Sequence, residues 1–558
     1  LRRKNMKQSL LFRFLTSGVV TLLLIFTSGF YGLLSANAVS VGDGNTNREP
    51  GAAVFVSKNA PVMVSLLVNP DKLQAKERKG EISKLKTSLL TNTGLDYKKD
   101  IQPWLGDEIS LAVTALDIDR EPSNGLQPGY LIALATDKPE LSQEFVQLLF
   151  SKRVLSGANL TVEEYEGVKV ISDASQPEKG ILAGGVVGDK FVLFANDPKI
   201  LREAINNAQA PDLNLSSFSK YQQSLEQLPK DSLGMTFLNF PILAQWQGLQ
   251  LEQPLFDSEI ISITLPNKGL LAETTVLSTG EILPPSAQLS QPVEALQYIP
   301  ARVGLAISGS NLNGLENSDV SQLWSQVKGA ITVPGKNFIP KAKQALVNFE
   351  KQWGIKLPSD IFSWVTGEYA IGLLPNSEQT TPDWVFVAQK VEGTSAGVTH
   401  LDEIALSKGL NIITFDLGGK QVSGWTELKT TNKTGNAKGS KSFNVETTVQ
   451  GVHTTLGNYE IFTSSLEAMD EVLEAKENSL MNDRSFVASV AAIPKPNQGY
   501  VYLDWEQSQR FVVEQLPILK IIKILGKPFF EDLRSLTLSS YGSDAGSVKA
   551  GLFFLVGK

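Results

Sequence analysis

Histidine and cysteine most often carry nucleophilic, general-base and metal chemistry, and this chain of 558 residues has two of the first and none of the second. The missing cysteine excludes disulfides, thiolate metal sites, iron–sulfur clusters and a cysteine nucleophile together. His453 lies in an alternating run, Val449 to Thr455, with no neighbouring acid or serine to form a triad. His400 reads as the opening of a helix capped by Thr399 with Asp402. Both histidines are expected to be structural, and neither a metal nor a cofactor is expected.

Carboxylates are the remaining candidates. Asp107 and Glu108 follow Trp104, and Glu368 follows Trp364, so an acid recurs beside an aromatic. Paired carboxylates can do acid–base work, but a turn leading into a strand needs the same residues, and the structural role is the expectation. Asp117, Asp119, Glu121 and Asn124 offer oxygen ligands to a hard cation, yet position 128, where an EF-hand needs glutamate, is Pro128. Asn376 and Glu378 are the only counterparts further on, and a solvated loop is expected.

Gly435, Gly439, Lys441 and Ser442 resemble a phosphate loop, but Ser440 stands where the second glycine belongs and no apolar helix follows. Gly184, Gly185 and Gly188 lie between two strands, so they read as a hairpin and not as a dinucleotide turn. No G-x-S-x-G elbow, H-E-x-x-H pair or kinase set occurs. A hydrolase built on Asp107, Glu108 or Glu368 is the least favoured reading.

One stretch is chemically unusual. From Pro517 to Pro528, Lys520, Lys523 and Lys527 fall on one helical stripe, and Ile518, Ile522 and Leu525 are among the apolar residues covering the rest. Such a helix packs into a core, or it lies against a partner or a membrane interface with its lysines reaching headgroups. Both readings stay open.

The elements around these residues come from a globular composition, 42% hydrophobic with 26 Phe and 8 Trp. Arg2, Arg3, Lys4, Lys7 and Arg13 precede an uncharged run from Phe14 to Leu34, followed by Ala36-Asn37-Ala38. That order reads as a cleaved signal peptide or as an uncleaved anchor, since about 20 apolar residues cross a bilayer. Without those five bases the remainder has 46 basic against 58 acidic residues. A net negative body argues against a nucleic-acid partner.

Internal similarity governs the rest. Asp100-Ile101-Gln102-Pro103-Trp104-Leu105-Gly106-Asp107-Glu108 aligns with Asp360-Ile361-Phe362-Ser363-Trp364-Val365-Thr366-Gly367-Glu368. Leu228-Pro229-Lys230 with Gly234 and Phe237 to Phe240 aligns with Ile493-Pro494-Lys495 with Gly499 and Tyr502 to Trp505. Gly188-Asp189 and Phe191 to Phe194 align with Gly457-Asn458 and Tyr459 to Phe462, and Ser262 to Leu265 with Ser535 to Leu538. Four blocks in one order predict two tandem copies.

The expected organisation is a signal peptide or anchor at 1–38, a linker at 39–49, copy one at 50–288 and copy two at 289–558. Short alternating runs such as Val62 to Val68, Ile109 to Val113 and Tyr130 to Ala135 predict strands. Helical spacing is found at Ile82, Leu85 and Leu89 and again at Leu346, Phe349 and Trp353. Asp197-Pro198 and Ser464 with Glu467 read as helix starts, and Thr430 to Asn444 as a hairpin loop. The expected class is α+β, with antiparallel, ferredoxin-like sheets and helices packed on one face.

The paired Trp-Gly-acid blocks, the Pro-Lys blocks and the exported start together resemble a cyanobacterial family of exported proteins, catalogued as the domain of unknown function numbered thirty-three fifty-two. The resemblance implies a periplasmic or thylakoid-lumenal location and supplies no catalytic residues. The function expected is non-enzymatic: a membrane-tethered or peripheral protein that binds a partner protein or supports membrane-complex assembly, the membrane being reached by the N-terminal segment and, in the interfacial reading of helix 517–528, by that helix as well. A carrier of lipid or another hydrophobic ligand is the alternative.

Overall fold

The computed structural model describes residues 49–69, 96–121, 123, 125–173, 182–246, 256–266, 269–278, 288–313, 355–376, 381–433, 442–508, 532–544 and 546–557. The N-terminal segment, Ile82 to Leu89, Leu346 to Trp353, the glycines at 435 and 439 with Lys441, and the whole helix carrying Ile518, Lys520, Ile522, Lys523, Leu525 and Lys527 lie outside the described residues.

Ten strands come first: Val62–Leu66 (β1), Leu105–Ala115 (β2), Gly129–Thr136 (β3), Leu160–Tyr165 (β4), Val168–Asp173 (β5), Leu182–Val187 (β6), Phe191–Ala195 (β7), Gly234–Asn239 (β8), Phe256–Thr264 (β9) and Gly269–Ser278 (β10). Ten more follow: Leu305–Gly309 (β11), Tyr369–Leu374 (β12), Asp383–Gln389 (β13), Asn411–Leu417 (β14), Lys420–Lys433 (β15), Ser442–Leu456 (β16), Tyr459–Thr463 (β17), Tyr500–Asp504 (β18), Leu533–Asp544 (β19) and Ser547–Val556 (β20). The α-helices described in full include Pro139–Leu155 (α1), Pro198–Gln209 (α2), Ser219–Leu225 (α3), Phe240–Trp246 (α4), Thr394–Ser407 (α5), Leu466–Glu474 (α6) and Arg484–Ala492 (α7).

These twenty strands join in one sheet. Its ladders run β4, β5, β6, β7, β3, β2, β1, β8, β9, β10, then β20, β19, β18, β11, β12, β13, β17, β16, β15, β14, and every pairing is antiparallel. Read outward from the central β10–β20 ladder, the two halves have the same order. The ferredoxin-like arrangement is not the one found. There, strands on either side of a helix are one strand apart; here β3 and β4, linked by α1, are separated by β5, β6 and β7.

Helices cover both faces, not one. Along β7, Val192 and Phe194 pack with Phe145 and Phe150 of α1, while Leu193 and Ala195 pack with Ile200 and Leu201 of α2. The second half repeats this: Phe386 and Phe462 join Leu401 of α5, and Val385, Val387 and Ile461 join Met469 of α6. Strands buried on both sides lose the apolar–polar alternation that marks a one-sided sheet, so periodicity could not reveal the second layer.

Helix starts follow their caps. The Asp197 side chain accepts the Lys199 amide with Pro198 in the first turn of α2. For α6 the cap is Ser465, whose hydroxyl accepts the Ala468 amide; Ser464 instead donates to Asp383. α5 begins after Gly393, so His400 sits within that helix and does not open it. The stretch read as a loop from Thr430 to Asn444 is entered from both sides by the long β15–β16 ladder, which reaches Lys433 and Ser442.

Candidate functional site

The aligned Trp blocks build the same small unit twice. Tyr97–Ile101 and Leu357–Phe362 are single π-helical turns. Trp104 donates its indole N–H to the Asp100 carbonyl at 2.7 Å, and Trp364 donates to the Asp360 carbonyl at 2.7 Å. Each aspartate carboxylate accepts the amide four residues earlier, Asp96 and Lys356, both at 2.8 Å. Burial raises the Asp360 pKa, but the Lys356 amide, the Ser359 hydroxyl and His400 outweigh it and leave the group below its ordinary value.

The recurring glutamates hold helix starts. Glu108 accepts the amides of Gly51 at 2.8 Å and Ala52 at 3.0 Å, the first residues of the 3-10 turn Gly51–Phe55. Glu368 accepts the Glu294 amide at 2.9 Å, the first of the turn Glu294–Tyr298, and the Tyr459 hydroxyl at 3.1 Å. A carboxylate at a helix start satisfies donors that have no partner in the helix. Burial pushes the Glu108 pKa up, with Ser110, Ala52 and Gly51 opposing the shift. The acids of the β2–β3 loop are likewise spent on the loop itself: Asp117 and Asp119 both bond to Gln127, and Asp119 to the Glu121 amide. Asn124 and Glu378 lie outside the described residues, and no cluster of metal-binding side chains occurs among those described.

The halves diverge at their outer ends. Phe194 pairs with Gly184, whereas the matching Phe462 pairs with His453. A Cβ at Gly184 would press into Phe194 and Phe150, and Arg153 closes this region with an ion pair to Asp173 at 2.6 Å. In the second half, buried His453 is stacked on Phe462 at a centroid distance of 5.6 Å and lies tilted against Trp425 at 5.3 Å.

Asp402 of α5 accepts the Trp425 indole N–H at 2.7 Å. His453 Nε2 lies 3.2 Å from the same Oδ1, near enough for attraction but off the line of a hydrogen bond. Burial lowers the His453 pKa against the pull of Asp402 and Glu460, favouring the neutral ring. Sequence reading missed this acid because it arrives from a helix about fifty residues away in the chain.

Beside that cluster lies a cavity of about 430 Å³, walled by Leu401, Ile404 and Ala405 of α5, by Leu410 and by Trp425, with Lys408, Asn411, Glu427 and Gln450 supplying polar atoms. Gln450 donates to Glu427 at 3.1 Å. Asn411 also starts β14, the edge strand, whose first four residues are exposed; Ile412 and Ile413 are each 37% exposed. Among the described residues β14 pairs only with β15. The opposite edge, β4, carries Glu163 and Glu164, and Arg202 of α2 bonds to Glu163 at 2.6 Å.

The family model described as "Protein of unknown function (DUF3352)" matches residues 15–556. The chain belongs to the DUF3352 family. Among solved structures, crystal form IV of TP0453 is 11% identical, covering 40% of this DUF3352 chain and 79% of its own, at a TM-score of 0.24. Crystal form I of TP0453 is 12% identical, covering 43% and 82%, also at 0.24. No curated protein matches. No helix among the described residues is long and apolar enough to cross a membrane.

Proposed function

We propose that this DUF3352 protein is a non-enzymatic, extracytoplasmic protein, in the periplasm or the thylakoid lumen. Its first 38 residues direct it to a membrane that it is tethered to or lies against. There it binds a partner protein and supports the assembly of a membrane complex. Its halves, 50–288 and 289–558, are read as tandem copies of one α+β unit, supported by the shared ladder order and the paired Trp turns. The first copy is the scaffold and the second carries the binding end.

The observation that carries the reading is the β14 edge. Asn411 to Phe415 contain no charge, proline or lysine, the devices that normally protect an edge from pairing. An extended partner segment laid along β14 gains main-chain hydrogen bonds, and the adjoining cavity of about 430 Å³ takes one of its apolar side chains. The capping roles of Glu108 and Glu368 support a reading without catalysis. A lipid carrier is less well supported, because a cavity of about 430 Å³ sits near the small end of ligand pockets.

The test is co-purification of the tagged protein from the cells that make it, with mass spectrometry of bound proteins and extracted lipids. A stoichiometric protein, released by Ile413→Lys but kept by Val162→Lys on β4, is expected. A stoichiometric lipid or pigment with no protein would favour the carrier instead.

A further inference from the structure

The join between the halves is a second place where matched positions hold unlike residues. β10 pairs with β20 so that Thr274 meets Ala550, Glu273 meets Gly551 and Ala272 meets Leu552. The flanking ladders, Thr274 with Ile261 and Leu552 with Leu538, make Thr274 and Leu552 equivalent. The approximate two-fold axis relating the halves therefore passes through the Glu273–Gly551 pair. A cavity of about 270 Å³ opens there, bordered by Pro229 and Pro494, matched residues of the two Pro-Lys blocks.

An interface that served only to join two sheets would be filled with small or apolar side chains. This one carries Glu273, Lys549 and Tyr541. Tyr541 is the extra residue of a bulge in β19 between Ser540 and Gly542. Bulges re-aim side chains, and this one lays the phenol over Gly551, where any Cβ would overlap its hydroxyl. That hydroxyl is buried without a hydrogen-bond partner among the described residues, an arrangement that is costly unless something else accepts from it. Burial, then Asp231, raises the Glu273 pKa, and Lys549 opposes the shift.

We propose that this cavity is a binding site for a small zwitterion, an ammonium and a carboxylate on a short carbon frame, as in a free amino acid. The ammonium meets the Glu273 carboxylate. The ligand's carboxylate accepts from the Tyr541 hydroxyl and faces the Lys549 ammonium, and Ile260 with the two prolines covers the carbon frame. A simple anion would be repelled by Glu273, and a simple cation would leave the Tyr541 donor unmet. The volume limits the ligand to a molecule smaller than most drug-sized ones.

The experiment is isothermal titration of the whole chain with free L-amino acids, one at a time, and with ethanolamine and acetate. At least one amino acid should bind saturably at one per chain. Glu273→Gln and Tyr541→Phe, both close in shape to the native residues, should each weaken it at least tenfold with an unchanged thermal melt. Should one variant fail to fold, the other decides. The assignment is overturned if no amino acid binds, if the folded variants bind as tightly as the native chain, or if ethanolamine or acetate binds as tightly as the amino acids.

Discussion

At the outer end of the first half hydrocarbon fills the space over Gly184, an ion pair closes it, and the edge strand carries two glutamates. At the same place in the second half a histidine, an aspartate and a tryptophan sit beside a cavity, and the edge strand is uncharged over its first five residues. Near the middle of each half the opposite holds, and contacts repeat at matched positions. Tyr221 meets Phe237 edge-on at 5.0 Å, and Phe486 meets Tyr502 edge-on at 5.2 Å. Ser224 shares a buried hydrogen bond with Ser258, and Ser489 shares one with Ser535. The two halves thus agree in their interiors and differ at their outer ends.

The largest expected effect tests the repeated interior. Tyr221→Ala and Phe486→Ala each delete a fully buried ring and should each cost about 3–5 kcal/mol. Denaturant unfolding of both variants checks it, and a large cost in one half alone would break the equivalence.

The helix-start glutamates come next. Glu108→Ala removes a carboxylate that holds two amides and should cost about 2 kcal/mol, whereas Glu368→Ala, holding one amide and the Tyr459 hydroxyl, should cost about 1–2 kcal/mol. Thermal melts would rank them, and an unaffected pair would mean that the turns do not depend on these caps.

A smaller effect separates the halves by pH. Burial holds the folded-state pKa of His453 below the ordinary 6.5. The unfolded chain therefore binds the extra proton first as pH falls, so the stabilisation is complete above 6.5 and is lost on acidification below it. Comparing unfolding midpoints at about pH 7.5 and about pH 5, native chain and His453→Phe should differ in how much they lose, with the native chain losing more. Equal losses would mean that His453 is not buried as a neutral ring.

Much of the interior was legible in the sequence because it rests on local rules. The Trp104 and Trp364 blocks align in the register that their indole bonds share, and Gly188 and Gly457 close matching hairpins at φ of 59° and 57°. Other features were not local. The run from Ser535 to Leu538 corresponds to Ser258, Glu259, Ile260 and Ile261, and not to Ser262 onward, because Thr236 pairs with Ile261 as Val501 pairs with Leu538. A strand of repeated small and β-branched residues leaves its register to its neighbours. The Asp402–His453 approach and the meeting of Glu273 with Gly551 depend on which distant elements become adjacent, which no spacing rule encodes.

The two halves share one sheet through the β10–β20 ladder. The chain has no cysteine of its own, so two engineered pairs report without background: Thr274→Cys with Ala550→Cys, and Thr275→Cys with Lys549→Cys. Adjacent antiparallel pairs alternate between wide and close spacing, so one of the two has the closer geometry that suits a disulfide. Under mild oxidation, at least one pair should close within a single chain, seen as a mobility shift reversed by reductant. Failure of both pairs in folded protein would contradict the continuous sheet.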